Sequence, residues 1–183
     1  MGMLDGRQAH LMLWMLLLVR ASQIALMASI VNLPRPFGAM PQSALFLNDQ
    51  RAAVVGTACY VLETFCESMD SDQLQPLLEP LMCRLVPLLD HRLLGIREMA
   101  AAAVGSAAVA ASDKFGPCRE GTAPRLAAMV ELGEERAWEL RGRSLEALGH
   151  VALAVGNAKF SPYRDTALRA AAANLELDST ETG

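Results

Sequence analysis

Carboxylates are the residues of this sequence whose grouping most clearly suggests chemistry. Between Ala52 and Cys83 the chain has no lysine or arginine. The same stretch contains five acidic residues: Glu63, Glu67, Asp70, Asp72 and Glu79. A second acidic cluster consists of Glu131, Glu134 and Glu135. Unbalanced carboxylates attract basic segments of other proteins through charge complementarity. Two interpretations are open for both clusters: a solvated surface, or candidate contacts for such segments.

No residue pattern typical of catalysis accompanies these carboxylates. The sequence lacks the phosphate-binding loop G-x-x-x-x-G-K-[ST] and the G-x-S-x-G turn that presents a nucleophilic serine. The sequence places no acid beside His150, so we interpret it as a packed or half-exposed histidine rather than a general base. Residues 141–144 resemble a kinase target, but their place in a predicted helix favours an ordinary structural role. We therefore predict no enzymatic activity and no cofactor.

The cysteine spacing argues against a metal site. The chain has four cysteines: Cys59, Cys66, Cys83 and Cys118. None belongs to a Cys-x-x-Cys pair, and His91 and His150 do not supply the close spacing of zinc ligands. Cys59 and Cys66 are seven residues apart, on one face of a helix. We expect reduced cysteines that act as small core residues, as in cytosolic and nuclear proteins.

The composition favours helices and disfavours a nucleic-acid ligand. Of the 183 residues, 52% are hydrophobic but only 5% are aromatic, and alanine and leucine predominate. Because β-branched and aromatic residues favour strands, their scarcity predicts an all-α fold. The formal net charge of −4 contrasts with the basic surfaces of nucleic-acid-binding proteins. We therefore expect a protein partner rather than a nucleic acid.

The first fifty residues differ from the rest of the chain. An apolar run covers residues 11–19, within a predicted helix 10–31. A membrane span needs about 20 apolar residues, so we favour a buried helix over a targeting segment or a span, and expect no membrane contact. Residues 33–49 contain three prolines and a glycine, which predicts an irregular linker. Together they form an atypical segment, 1–50.

From residue 51 onward, apolar residues recur at helical spacing. In the first predicted helix the stripe is Val55, Ala58, Leu62 and Phe65, and in a later helix it is Trp138, Leu145, Leu148, Ala152 and Val155. The helices group into three antiparallel hairpins within residues 51–177: 51–89, 93–132 and 136–175. In the second helix of the first hairpin, we expect Asp72 to be the N-cap and Pro80 to kink the helix or to move its start. Residues 178–183 are polar and predict a frayed tail.

Two segments of the sequence resemble each other and define a repeat. Residues 97–118 and 139–163 each have an alanine-rich run with one glycine, then a Lys-Phe pair, then a proline. The glycines, Gly105 and Gly149, suggest that neighbouring helices approach closely, which would offset the cost of about 1 kcal/mol for glycine in a helix. The repeat of about 40–47 residues with two helices per unit is typical of HEAT repeats, whose stacked hairpins share one core. We therefore predict a HEAT-repeat α-solenoid.

The amino-acid sequences of these repeats resemble those of one protein family. The segments TACYVLETFCESM (57–69) and QPLLEPLMCRLVPLLD (75–90) are similar to a central HEAT repeat of the importin-β family, or β-karyopherins, which are nuclear import receptors. The segment LRGRSLEALGHVALAVGNAKF (140–160) resembles the importin four and importin five branch of that family. The resemblance covers about 51–175, or three repeats where such receptors have about twenty. We accordingly expect a truncated form of a receptor.

The resemblance implies a non-enzymatic protein-binding module in the cytoplasm and nucleus, which contributes to the import of basic cargo such as histones or ribosomal proteins. In this family the second helices of the hairpins line the concave face, where acidic patches contact basic signals. Further partners implied for a full-length receptor are the Ran GTPase and nuclear pore proteins. The alternative hypothesis is a HEAT scaffold of the phosphatase or condensin type, without a role in transport.

Overall fold

The computed structural model describes residues 40–133 and 137–180, with side chains as far as residue 173. The predicted helix 10–31 lies outside the described residues. Within them the chain is all helical and forms three helical hairpins. The six α-helices are α1 (Ala52–Glu67), α2 (Ser71–Leu85), α3 (Leu94–Ala111), α4 (Arg119–Val130), α5 (Trp138–Val155) and α6 (Asn157–Thr180). Segments of 3-10 helix also occur among the described residues, at Gln42–Asn48, Val86–Asp90 and Ser112–Cys118.

The hairpins stack in two layers around one core. The first helices of the hairpins (α1, α3 and α5) pack directly against one another, and the second helices (α2, α4 and α6) form the other layer. Equivalent large side chains of the three units, Leu74, Phe115 and Phe160, are 0%, 0% and 6% exposed. A single hairpin could not bury both of its faces, so the continuous core across the hairpins is what stabilises each of them.

The residue that caps the N-terminus of α2 is not the one that was expected. Asp70, not Asp72, is the N-cap: its carboxylate accepts a hydrogen bond from the backbone N–H of Gln73 at 2.9 Å. The Gln73 side chain in turn accepts a hydrogen bond from the backbone N–H of Asp70 at 3.1 Å. This reciprocal arrangement is a capping box. It places the helix start two residues earlier than expected, and Pro80 lies within α2 without moving that start.

Replacement of the capping carboxylate tests this start. We expect Asp70→Ala to lower the free energy of unfolding by about 1 kcal/mol, because the N–H of Gln73 loses its acceptor. The matched variant Asp72→Ala removes only an exposed ion pair with Lys114, so its loss should be smaller. Urea denaturation of both variants measures the two values. A larger loss for Asp72→Ala would contradict the observed cap.

The repeated Lys-Phe pair lies at the seam between hairpins. Phe115 and Phe160 are buried in the core, whereas Lys114 forms an ion pair with Asp72 of the preceding hairpin. The chain breaks before each pair at a residue with positive φ, Ser112 (52°) or Gly156 (80°). The break in the third hairpin is therefore a single glycine, and α6 begins directly after it and continues through Thr180.

The end of the predicted linker is ordered and contributes to the core. The 3-10 helix Gln42–Asn48 packs against α1, and its Ala44 and Leu47 are each only 1% exposed. The side chain of Arg84 donates a hydrogen bond to the carbonyl of Ala44 at 3.4 Å. The expectation of an irregular segment as far as residue 49 was wrong here. Two apolar core residues, Ala44 and Leu47, are too few to show a helical period in the sequence.

The apolar stripe was predicted correctly for α1 but only in part for α5. Val55, Ala58, Leu62 and Phe65 of α1 are all buried. In α5, Leu148 and Val155 are buried, whereas Trp138 is 64% exposed and is not part of the core. The buried side of α5 also includes Leu140, Ala147 and Val151.

The central glycines of the first helices have different roles. A Cβ at Gly56 would lie 2.9 Å from Sδ of Met99, and a Cβ at Gly105 would lie 3.2 Å from Cα of Ala147. Both glycines therefore permit the close approach that the sequence suggested. Gly149 is exposed, with no atom within 4 Å of a Cβ placed there, so the packing explanation was wrong for this glycine in the described structure.

All four cysteines are free thiols, in different environments. Cys59 and Cys66 are fully buried, as expected for core residues, and burial raises the pKa of each thiol to about 12. Cys83 is exposed and Cys118 is half-buried.

This difference predicts an order of reaction with a maleimide at pH 8. We expect Cys83 to react first and Cys118 more slowly, because Cys118 is partly shielded. Cys59 and Cys66 should react only when the protein unfolds, since both access and thiolate formation are suppressed. Mass spectrometry of digests taken over time gives the order. Labelling of Cys59 as fast as that of Cys83 in the folded protein would contradict it.

One stretch among the described residues, Leu94–Val130, is long and apolar enough to cross a membrane by length and composition alone. Half of its apolar window is buried inside the protein. It comprises α3, a 3-10 helix and α4, which pack against neighbouring helices as core elements.

Candidate functional site: an acidic ladder on the second helices

Three acidic residues occupy equivalent positions on the three second helices. Each lies three residues after an exposed proline of its hairpin (Pro76, Pro117 or Pro162). We call this set the acidic ladder: Glu79, Glu120 and Asp165. Its members are 41 and 45 residues apart in sequence, the same intervals that separate the prolines.

The burial pattern supports this equivalence. The residue two positions before each proline is buried in the core in all three hairpins. The residues four positions after the ladder carboxylates, Cys83, Pro124 and Arg169, are all exposed. The three helices thus turn the same side toward the core. The ladder carboxylates, all exposed, therefore lie on one surface of the second-helix layer.

The ladder carboxylates are largely free of intramolecular ion pairs. In the described part of the chain, no ion pair or side-chain hydrogen bond involves Glu79 or Asp165. Glu120 contacts Nη2 of Arg119 at 3.0 Å, but the side chain of Glu120 remains 82% exposed. Arg119 is also held by the carbonyl of Lys159, at 2.9 Å from Nη1. An incoming cation would therefore meet three accessible carboxylates.

Other cations of this layer already have partners at its surface. Nε of Arg125 lies 2.7 Å from a carboxylate oxygen of Asp90. Nη2 of Arg164 donates a hydrogen bond to the side-chain oxygen of Asn157 at 2.7 Å. The first bond ties Arg125 to the preceding hairpin and the second holds Arg164 against its own helix, so both guanidinium groups have partners other than the ladder.

Two of the acidic residues expected from the sequence lie on the opposite layer. Glu63 and Glu67 belong to α1 and line a cavity of about 70 Å³ between the first helices, together with Arg143, Glu146 and His150. Burial raises the pKa of Glu63, and the nearby Arg143 counteracts part of this effect. The structure therefore places acids beside His150 that sequence spacing could not reveal.

The other expected residues serve local contacts or belong to the ladder. Asp70 is a helix cap, and the ion pair with Lys114 lowers the pKa of Asp72. Glu131 lies 3.7 Å from a guanidinium nitrogen of Arg169. Glu134 and Glu135 lie outside the described residues.

The described members of the expected set thus lie on both layers rather than on one surface. Of this set, only Glu79 belongs to the ladder. Glu120 and Asp165 were not among the predicted contacts, although the register of the three prolines identifies both.

The residues that the sequence suggested for modification or catalysis are buried or half-buried among the helices. Ser144, the last residue of the segment that resembles a kinase target, is fully buried in α5. His150 is half-buried at the cavity on the first helices. Among residues 40–133 and 137–180, no group of three or more His, Cys, Asp or Glu side chains is arranged to bind a metal.

Comparison with known proteins identifies a relative. No protein-family model matches the chain. The probable importin subunit beta-4 of Schizosaccharomyces pombe is 34% identical over 134 residues. The match covers 72% of this chain but 13% of the relative, so the chain spans about one eighth of the length of that protein.

Solved structures of the karyopherin Kap121p share the fold. Kap121p bound to Pho4p matches with a TM-score of 0.68 and 24% identity, over 78% of this chain and 14% of Kap121p. Kap121p alone matches with a TM-score of 0.64 and 25% identity, over 71% of this chain and 12% of Kap121p. The predicted HEAT-repeat solenoid is thereby confirmed.

Sequence and fold point to the same group of proteins. The similar proteins are an importin and a karyopherin, which are transport receptors rather than enzymes. Over the part that these comparisons cover, the chain belongs to the importin-β family.

Proposed function

We propose that this chain is a non-enzymatic protein-binding module of a nuclear transport receptor, and that it contributes to the import of proteins with basic signals. The observation that carries the proposal is the acidic ladder: Glu79, Glu120 and Asp165 are exposed and lie in the same register of three successive second helices. Histone-type and ribosomal-type proteins supply basic segments of the appropriate charge.

The spacing of the ladder defines the kind of segment that fits. Packed helices lie on the order of 10 Å apart. A peptide in the polyproline II conformation advances about 3.1 Å per residue and returns to the same side every three residues. Lysines about three positions apart would therefore reach successive ladder carboxylates. Each exposed charge pair contributes only about 0.2–1 kcal/mol. Several pairs are needed for useful affinity, which explains why the binding surface extends over several repeats.

Structures of Kap121p support the proposal of a protein partner. Kap121p has been solved bound to Pho4p, to Ste12p and to Nup53p. Another structure is of a Kap121p mutant in which three acidic residues, about one repeat apart, are replaced by lysine. By analogy we propose basic cargo as the partner of this chain, and Ran and nuclear pore proteins as partners of a full-length receptor that shuttles between cytoplasm and nucleus.

Fluorescence anisotropy tests the proposal directly. A labelled peptide with lysines at every third position is titrated with the chain, and a matched peptide with glutamates in place of lysines is the control. We expect saturable binding of the lysine peptide alone, with an affinity that decreases as salt increases because the contacts are exposed. If the folded chain binds neither peptide, or binds both equally, the proposal fails and a HEAT scaffold without a transport role is left.

A further inference from the structure

A pair of cysteines lies at the seam between the first two hairpins, on the layer that contains the ladder. Cys83 is exposed on α2, and Cys118 is half-buried at the N-terminus of α4. The 3-10 helix that ends at Cys118 packs against α2. The two thiols therefore belong to elements that touch across the seam.

An ion pair farther along the same seam shows how the elements are aligned. Asp90 and Arg125, which are 35 residues apart, approach to 2.7 Å. Cys83 and Cys118 are also 35 residues apart, and each lies seven residues before one member of that pair. Helix α2 packs against the 3-10 helix Ser112–Cys118, and the following 3-10 helix Val86–Asp90 packs against α4, so the two segments run in the same direction along the seam. With this alignment Cys83 and Cys118 occupy corresponding positions of the two segments.

The electrostatics of Cys118 agrees with that placement. Burial, together with the negative charges of Cys83 and Glu79, raises the pKa of the Cys118 thiol. Cys83 and Glu79 are thus close enough to Cys118 to act on its charge. Both belong to the exposed side of α2.

We propose that Cys83 and Cys118 form an oxidisable pair, and that a disulfide between them links the first hairpin to the second beside Glu79. This inference does not depend on the proposed function. The exposed side chain of Cys83 is accessible to oxidants and has room to turn toward its neighbour. A bond that joins two hairpins constrains the unfolded chain and also the movement of one hairpin against the next.

The chemistry uses a peroxide as the oxidant. The sulfur of Cys83 attacks one oxygen of hydrogen peroxide, which breaks the O–O bond and yields a sulfenic acid and one water. The sulfur of Cys118 then attacks the sulfenic sulfur, the S–O bond breaks, and a second water leaves as the disulfide forms. Two thiols lose two electrons and two protons in total, and the peroxide is reduced to water.

The remaining cysteines cannot form the same bond. Cys59 and Cys66 are both buried in α1, seven residues apart. Seven residues of helix span about 10 Å, which exceeds the Cα separation of roughly 4.4–6.8 Å that a disulfide allows. They serve as internal controls in the same molecule.

The test treats the full chain with hydrogen peroxide, blocks the remaining thiols with a maleimide, and maps linked peptides by mass spectrometry without reduction. We expect an intramolecular link between Cys83 and Cys118, with Cys59 and Cys66 recovered as blocked thiols. The oxidised chain should also melt at a higher temperature than the reduced chain, and dithiothreitol should reverse that shift.

Two variants make the result decisive. Cys118→Ser should leave the Cys83 sulfenic acid without its internal partner, so that a dimedone probe captures it. Cys83→Ser should abolish both the link and the shift in melting temperature. Oxidation of Cys83 to sulfinic acid in the original chain, or disulfide-linked dimers with Cys118 still a free thiol, would overturn the proposal.

Discussion

Replacement of Gly105 by leucine is expected to destabilise the fold, because this glycine lies at the contact between α3 and α5. A Cβ at this position would lie 3.2 Å from Cα and 3.3 Å from Cβ of Ala147, and 3.0 Å from Nδ1 of His150. The backbone of Ala147 cannot turn away, so α3 and α5 must separate. Overpacking of this kind costs about 1–3 kcal/mol, against a gain of about 0.8 kcal/mol from the better helix propensity of leucine.

Gly149→Leu is the matched control, because it makes the same substitution in the equivalent helix of the next hairpin. No atom lies within 4 Å of a Cβ at Gly149, so only the gain in helix propensity remains. We therefore expect Gly105→Leu to lower the melting temperature by several degrees, at roughly 2–4 °C per kcal/mol, and Gly149→Leu to leave it unchanged or to raise it. Equal destabilisation by both variants would show that the two glycines have the same role.

Charge reversal of the acidic ladder is expected to have the largest effect on binding. In the triple variant Glu79→Lys, Glu120→Lys, Asp165→Lys, each attraction to a lysine of the peptide becomes a repulsion. If each reversal costs about 1 kcal/mol, the upper end for exposed pairs, the dissociation constant rises on the order of 100-fold. Because all three side chains are exposed, the helical content and melting temperature should change little.

A second triple variant separates the place of binding from total charge. Glu63→Lys, Glu67→Lys and Glu146→Lys produce the same change in net charge, but on the first-helix layer. We expect this variant to keep most of the affinity for the lysine peptide, with only the modest loss that long-range repulsion causes. An equal loss in both variants would indicate a nonspecific effect of net charge and would argue against a role for the ladder.

The sequence predicted the repeat architecture because the repeat reflects how helices pack. Alanine-rich first helices, breaks near Gly156 and Ser112, and buried phenylalanines in the Lys-Phe pairs all follow from the need of each hairpin to cover the next. The observed second helices of the first and third hairpins begin at Ser71 and Asn157. Each of these starts depends on one residue, either a capping side chain or a glycine with positive φ. Neither feature changes the spacing of the apolar residues.

The candidate site was predicted less well, since carboxylates that are neighbours in sequence need not share a surface. Glu63 and Glu79 are separated by the turn between α1 and α2, so they belong to opposite layers of one hairpin. Residues of the ladder are a whole repeat apart, and a scan for local charge clusters cannot group them. Trp138 shows the same limit for apolar residues: its type suggested the core, but its position in the first turn of α5 leaves it exposed.

Zero-length cross-linking tests the central claim, that the ladder is the surface that contacts a basic segment. A carbodiimide joins lysine amines of the bound peptide to the carboxylates that they contact, and mass spectrometry then identifies these carboxylates. Binding at the ladder predicts cross-links to Glu79, Glu120 and Asp165, which excess unlabelled peptide suppresses. Cross-links confined to Glu63 and Glu67 would place the peptide on the first-helix layer and contradict the account.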